Sequence, residues 1–288
     1  MSNATAKDPS TRILDHIVHI TPPGTLPQAV QAFRELGFTV IDGGEHADGQ
    51  TANALIILAD GTYLELIHFL LPSPSPSSSA PAHQWANKPP GFSAFAFLGA
   101  PSSSPSIDAV INARSAALGI AHELHYREPV RGGRTRPDGV ELRWEIVVPE
   151  RWSQRRDAMG RPFFCGDLTR RELRVPPEEE KHTHANKTRG IAYLRVLVSP
   201  AAFGEKVKEF EAVFGVPPIP IPVSPSSDGR SEREWELETP TSTNDKETAV
   251  VPPKLIVTAA NEEDEEEARF VQENGTGVFE VGFVVGEG

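Results

Sequence analysis

A single cysteine, Cys165, stands among 288 residues, so the chain can build neither an intramolecular disulfide framework nor a cysteine-lined metal cage. No apolar run approaches the ~18 residues of a membrane-spanning helix. The N-terminal stretch from Met1 to Arg12 lacks the apolar core of a signal peptide. Positive charge is also scarce: 28 Lys and Arg against 40 Asp and Glu leave a net charge of −12. That balance repels phosphate backbones and anionic bilayers, which argues against nucleic-acid and membrane partners. A phosphate-cradling loop, a dinucleotide fingerprint and a serine-hydrolase elbow are all missing. Apolar residues amount to 38%, below the usual range of about 45–50%. In their place stand 27 Pro and 23 Gly, so much of the length is loop. The expectation is a soluble, acidic, cytoplasmic protein whose partner is a small molecule; the oligomeric state is left open.

The loops fall in definite places. Residues 1–11 read as a disordered tail. Pro72 to Ala82 holds mainly Pro, Ser and Ala, Pro101 to Ser106 is similar, and Pro217 to Pro225 is Pro-rich. Asn261 to Glu267 is an acidic block, read as a solvated loop rather than an interaction tail. Between the breaks one pattern recurs. Ile13 to Ile20 alternates like a half-buried strand, with Leu14, His16, Val18 and Ile20 on one face. Leu26, Ala29, Val30, Phe33 and Leu36 follow at helical spacing, and Gly37 is a natural stop. Phe38–Ile41, Asn53–Ala59 and, after the Asp60-Gly61 turn, Tyr63–Phe69 complete a strand, helix, strand, strand, strand order.

The order repeats. Phe92–Leu98, a helix from Ile107 to Leu118, Ala121–Glu128, Val140–Val148 and Arg161–Leu168 form a second unit. Ile191–Val198, a helix over Phe203–Phe214, Glu232–Leu237, Lys254–Thr258 and Val278–Val285 form a third, less regular one. Three βαβββ-like units predict an α+β fold with an internal structural repeat. The expected division is 12–70 and 91–176 within one domain at 12–178, followed by a third unit at 186–288 with Pro-rich and acidic loops.

Several stretches resemble the glyoxalase-like branch of the vicinal oxygen chelate superfamily, which includes glyoxalase, bleomycin-resistance and extradiol-dioxygenase relatives. They are Leu14-Asp15-His16-Ile17-Val18, Asn53-Ala54-Leu55-Ile56, Tyr63-Leu64-Glu65-Leu66-Ile67, Arg134-Thr135-Arg136-Pro137-Asp138-Gly139, Leu142-Arg143-Trp144 and Pro162-Phe163-Phe164. The resemblance implies that repeated βαβββ units form cupped mixed sheets with flanking helices, the hollow holding the site. In metal-dependent relatives a first-strand and a fourth-strand residue from each unit meet at a divalent ion. Carried over, the first unit supplies His16 and Glu65, and both sit on faces otherwise apolar, where an unpartnered carboxylate is costly. Such donors suit Zn, Fe, Mn or Ni. The second unit departs from the pattern, with Ala94 and Gly166 near the expected ligand positions and Cys165 and Asp167 beside them.

Each candidate also has a plainer reading. His16 could be a satisfied core histidine, and Glu65 the partner of an arginine. His19 lies on the opposite strand face from His16. His46, in a Gly-rich loop, and Asn53 are second-tier pocket residues. Arg134 or Arg143 would hold a carboxylate or enediolate if turned inward, whereas Arg143 pairing with Glu145 is the bland alternative. Trp144 is core or ligand platform. His182, His184 and Lys187 belong to a polar linker, and Cys165 reads as inert. The resemblance implies a small-molecule enzyme of lyase, isomerase or dioxygenase type. Glu65 and His16 would be catalytic and metal-binding, and Arg134, Arg143, Trp144, Asn53 and His46 would contact substrate. The alternative is a non-catalytic binding protein with a degenerate metal site; a third possibility gives the last unit a structural or interaction role.

Overall fold

A computed structural model describes residues 8–70, 85, 88–150, 160–220, 230–241 and 251–286. The first unit runs β1 (Leu14–Ile20), α1 (Leu26–Glu35), β2 (Ile41–His46), β3 (Thr51–Ile57) and β4 (Tyr63–Phe69). The second runs β5 (Gly91–Leu98), α2 (Ile107–Ala117), β6 (Val130–Thr135), β7 (Glu141–Val147) and β8 (Phe163–Asp167). These eight strands close into a barrel in the order β1-β4-β3-β2-β6-β7-β8-β5. Closure removes the unpaired edges that two separate sheets would carry. The α+β class and the cupped, helix-flanked sheet expected from the repeat are both present.

After two short helices, α3 (Arg171–Arg174) and α4 (Glu179–His182), the third unit provides β9 (Thr188–Val198), α5 (Phe203–Phe214), β10 (Ile219–Pro220), β11 (Glu232–Glu236) and β12 (Lys254–Ala259). Then come α6 (Glu265–Asn274) and β13 (Gly277–Val285). The sheet order is β10-β11-β12-β9-β13. As in the first unit, the fourth strand runs parallel to the first, here β12 beside β9. Strand β13 pairs antiparallel with β9, as β5 does with β1. The stretch at Val278–Val285 is therefore not the fourth strand of the unit, as the sequence suggests, but the counterpart of the strand that opens the next one.

Other expectations are corrected in the same way. The strand placed at Ala121–Glu128 is a turn, where Asn112 bonds both the backbone N–H and the carbonyl of Tyr126. The strand is instead the Gly-containing segment at β6. Strand β2 starts at Ile41 rather than ending there, because Gly43 and Gly44 lie in the sheet. A side chain at Gly43 would strike Asn53, and one at Gly44, with φ +126°, would strike the Thr135 carbonyl. His46 is thus a strand residue, not a loop one. The acidic block is a turn leading into α6: Asp264 caps it by accepting from the amides of Glu266 and Glu267. Carboxylates in a first helical turn face its partial positive charge. Within the stretch expected to be a disordered tail, Thr11 is buried and the Ser10 hydroxyl reaches Glu238, whereas residues 1–7 lie outside the described residues. His184 pins its segment to the barrel, accepting from the Thr39 amide at 3.0 Å and contacting the Ile57 carbonyl at 2.9 Å. Pro72 to Ala82 lies outside the described residues.

The larger core lies outside the barrel. Leu14, Ile17, Phe95 and Phe97 on its outer face pack with Leu194, Val196, Phe210, Phe214 and Trp235 of the third unit. Beside this apolar seam lies a buried ionic one. Glu209 of α5 accepts from Arg161 Nε at 3.0 Å and also from Lys206, and all three side chains are buried. Removing the carboxylate takes a shared acceptor from two buried cations. Glu209→Ala should cost about 3–5 kcal/mol of folding stability. Chemical denaturation checks this; a loss below about 1 kcal/mol would show that the seam is not held this way.

Candidate functional site

The barrel interior holds a cavity of about 370 Å³, within the range of about 300–1,000 Å³ typical of small-molecule sites. One wall is apolar and aromatic, formed by Trp85, Trp144, Phe163 and Ile67. Trp144 can lie against the neighbouring strand because Gly132 has no side chain: a Cβ there would meet the indole. The other wall carries His16, His46, Asn53, Tyr63, Glu65, Arg134 and Arg174.

Strand register explains the polar wall. In the parallel pair β1–β4, His16 stands opposite Tyr63 and Val18 opposite Glu65. A register shift between Leu14 and His16 turns Leu14 outward, so the expected shared face breaks at Asp15. Leu14 joins the outer core, whereas His16, Val18 and Ile20 face inward. Glu65 is buried, and Asn53 donates to its Oε1 at 2.6 Å. Nε2 of His16 lies 3.7 Å from Oε2, and Nε2 of His46 lies 3.7 Å from Oε1. One carboxylate is therefore flanked by two imidazoles, each beyond direct hydrogen-bond reach. His46 is oriented by Thr51, at 2.8 Å from Nδ1. Burial lowers its pKa, only partly offset by the Glu65 charge, so it is neutral at pH 7.

His16 is oriented from behind. Its Nδ1 lies 2.8 Å from Asp15 Oδ2 and its ring stacks on Tyr63 at 4.6 Å. Asp15 is fully buried, yet Arg174 reaches it at 2.8 Å and Arg171 at 2.5 Å. Burial alone would raise the Asp15 pKa; the two guanidiniums and the His16 hydrogen bond outweigh it and hold the carboxyl well below its usual range. Arg174 also donates to Asp167 at 2.6 Å and to the Tyr63 hydroxyl at 2.7 Å. Burial keeps that phenol far above its ordinary pKa, so it stays neutral with its own proton available to an acceptor.

Of the residues singled out from sequence, His16, Glu65, Asn53, His46, Arg134 and Trp144 line the one cavity. Arg143 does not: it is exposed, and alternation along β7 turns it away from the barrel interior that Leu142 and Trp144 face. Its proposed partner Glu145 instead approaches Arg131 at 3.8 Å. In the second unit, Val18 stands opposite Ala94 and His16 opposite Ala96 across the antiparallel β1–β5 pair, so alanines face the first strand there. On β8, Phe163 and Cys165 line the cavity. Burial raises the Cys165 thiol far above its ordinary pKa, so it offers no thiolate. Among the described residues, no group of three or more His, Cys, Asp and Glu side chains is arranged to hold a metal ion. Sequence reasoning gave no site role to Tyr63, Trp85 or Arg174, because a lone aromatic beside a Pro/Ser stretch and an arginine in a charged segment carry no motif.

The chain matches the family described as glyoxalase-like domain over residues 14–214. No curated protein matches it. Among solved structures it resembles a hypothetical protein from Staphylococcus aureus, with 14% identity, 86% of each chain covered and a TM-score of 0.56. It also resembles a mutant of 4-hydroxymandelate synthase from Streptomyces coelicolor, with 11% identity, 97% of this chain and 72% of that one covered and a TM-score of 0.54. A xylose isomerase-like TIM barrel/4-hydroxyphenylpyruvate dioxygenase fusion protein shows 12% identity and a TM-score of 0.51, covering all of this chain and 39% of that one. At these identities the likeness is one of fold. Among the described residues no helix is long and apolar enough to cross a membrane.

The Asp15 network has a signed pH dependence. A depressed folded pKa contributes stability above the unfolded value of about 3.9, lost as pH falls toward the folded value. Asp15→Asn should therefore cost about 3–5 kcal/mol at pH 7, with the gap to wild type closing below about pH 4. Denaturant midpoints measured across that range check it; a gap independent of pH would contradict an ionised Asp15.

Proposed function

The chain belongs to the glyoxalase-like domain family, and we propose that its barrel cavity binds a small molecule with adjacent oxygen atoms and moves a proton on it. The observation that carries this reading is the Glu65 carboxylate, fixed by Asn53 and flanked by two imidazole nitrogens at 3.7 Å each. A carboxylate buried among apolar strands and facing a cavity is suited to act as a general base. Glu65 would take a proton from a carbon or hydroxyl beside the ligand's oxygens. The Tyr63 hydroxyl would donate to one oxygen, and Arg134 would face the charge that develops. His16, its Nδ1 tied to ionised Asp15, presents Nε2 beside Glu65 and would orient the ligand or relay the proton. Trp144, Trp85 and Phe163 would hold an apolar portion. The steps are assigned to these side chains alone. Lyase and isomerase chemistry both use a proton transfer of this kind.

The apolar residues Ala94, Ala96 and Phe163 that the second unit turns inward favour a second reading, a binding protein that retains the cavity and has lost turnover. Solvent-deuterium exchange into a panel of 2-oxo and 2-hydroxy acids, followed by NMR, separates the two. The enzyme reading expects exchange that Glu65→Gln lowers by about 100-fold or more. Exchange that survives the substitution would overturn Glu65 as base. Thermal stabilisation by organic ligands with no exchange at all would favour the binding protein. Stabilisation by Zn, Mn, Fe or Ni ions that Glu65→Gln abolishes would instead show that the donor set holds a metal.

A further inference from the structure

A second cavity, of about 280 Å³, opens at the other end of the barrel. The first is bounded by His46, at the end of β2, and Arg131, near the start of β6. The second is bounded by Ile41 and Asp42, at the start of β2, and by the turn after β6 at Arg136. Leu55, Arg134 and Arg174 line both and form the partition between them.

The two partition arginines differ in what they touch. Arg174 is spent on Asp15, Asp167 and Tyr63. Arg134 is as buried, yet among the described residues its one hydrogen bond goes to the Gly43 carbonyl and it forms no ion pair. A guanidinium has five N–H donors and keeps its charge under all ordinary conditions. Holding it in the interior with one acceptor is unfavourable unless something else meets it. Two further cations stand on the lower rim. Arg136 pairs with Asp138 at 2.5 Å and Lys181 with Glu178 at 3.2 Å. Both pairs are partly exposed, and such pairs contribute little and exchange readily. Asp42 and Asp138 on the same rim oppose an anion held at the entrance, so the favourable position is deep, against Arg134.

We propose that this lower cavity binds a small oxyanion, a carboxylate or phosphate, between Arg134, Arg136 and Lys181. The guanidinium fork matches the paired oxygens of either group. The site shares Leu55, Arg134 and Arg174 with the Glu65 chamber, so an anion seated there would fix Arg134 for the ligand above.

The test titrates inorganic phosphate and malonate at constant ionic strength, read by calorimetry and by thermal shift. Wild type should show saturable stabilisation by at least one of them, and the one that binds identifies the oxyanion. Arg134→Gln should abolish it. Should that variant fail to fold, the double variant Arg136→Gln/Lys181→Gln carries the test and should weaken binding by about tenfold or more. Glu65→Gln and Arg131→Gln, both at the upper chamber, should retain saturable anion binding, so failure of the proton-transfer reading and failure of this site are distinguishable. No saturable effect from either anion would overturn the proposal, as would binding lost in Arg131→Gln and kept in the double variant.

Discussion

A carboxylate with no exposure to water, Asp15, is the constraint around which the barrel end is organised. An isolated charge at that depth would neutralise or unfold its surroundings. It stays ionised because Arg171 and Arg174 reach it from α3 and His16 from its own strand. Meeting that demand ties four elements together, since Arg174 also binds Asp167 on β8 and Tyr63 on β4. The same bonds fix the edge of the cavity: the imidazole plane of His16 and the direction of the Tyr63 hydroxyl follow from them. Site geometry and local stability are thus one arrangement of charges.

The two barrel units share a register but not a chemistry. In β1–β4 the inward positions hold His16, Tyr63 and Glu65; in β5–β8 they hold Ala96, Phe163 and Cys165. One half of the cavity is polar and the other apolar as a direct result. A ligand in it would meet base, imidazoles and hydroxyl on one side and rings on the other. That asymmetry suits recognition of a molecule with an oxygenated end and a hydrophobic end. The third unit repeats the topology, and its buried residues join the core that packs on the barrel's exterior strands.

Much of this is legible in the sequence, for local reasons. Alternation marks β1, β4 and β7, helical spacing marks α1, α2 and α5, and Gly37, Gly119 and Gly215, all with positive φ, mark helix ends. His16 and Glu65 stand out because a polar residue on an apolar strand face demands a partner. What the sequence hides is set by tertiary contact. Strands β2 and β6 carry glycine pairs that read as loops, yet Gly43 and Gly132 leave room for Asn53 and Trp144, and Gly44 and Gly133 lie against the carbonyls of Thr135 and Leu142. The register shift beside Asp15 moves Leu14 to the other face, and no periodicity announces it. Arg143 looked equivalent to Arg134 from their spacing about a hairpin, but alternation along β7 sends it to solvent.

The central claim is that one carboxylate, Glu65, sits between the imidazoles of His16 and His46 and governs both. Imidazole ¹⁵N NMR of the wild type and of Glu65→Gln across neutral pH tests it without knowledge of the ligand. The account predicts that the His16 and His46 resonances both shift on substitution, while those of the exposed His122 stay in place. Movement of neither, or of one alone, would contradict the arrangement on which the proposed function rests.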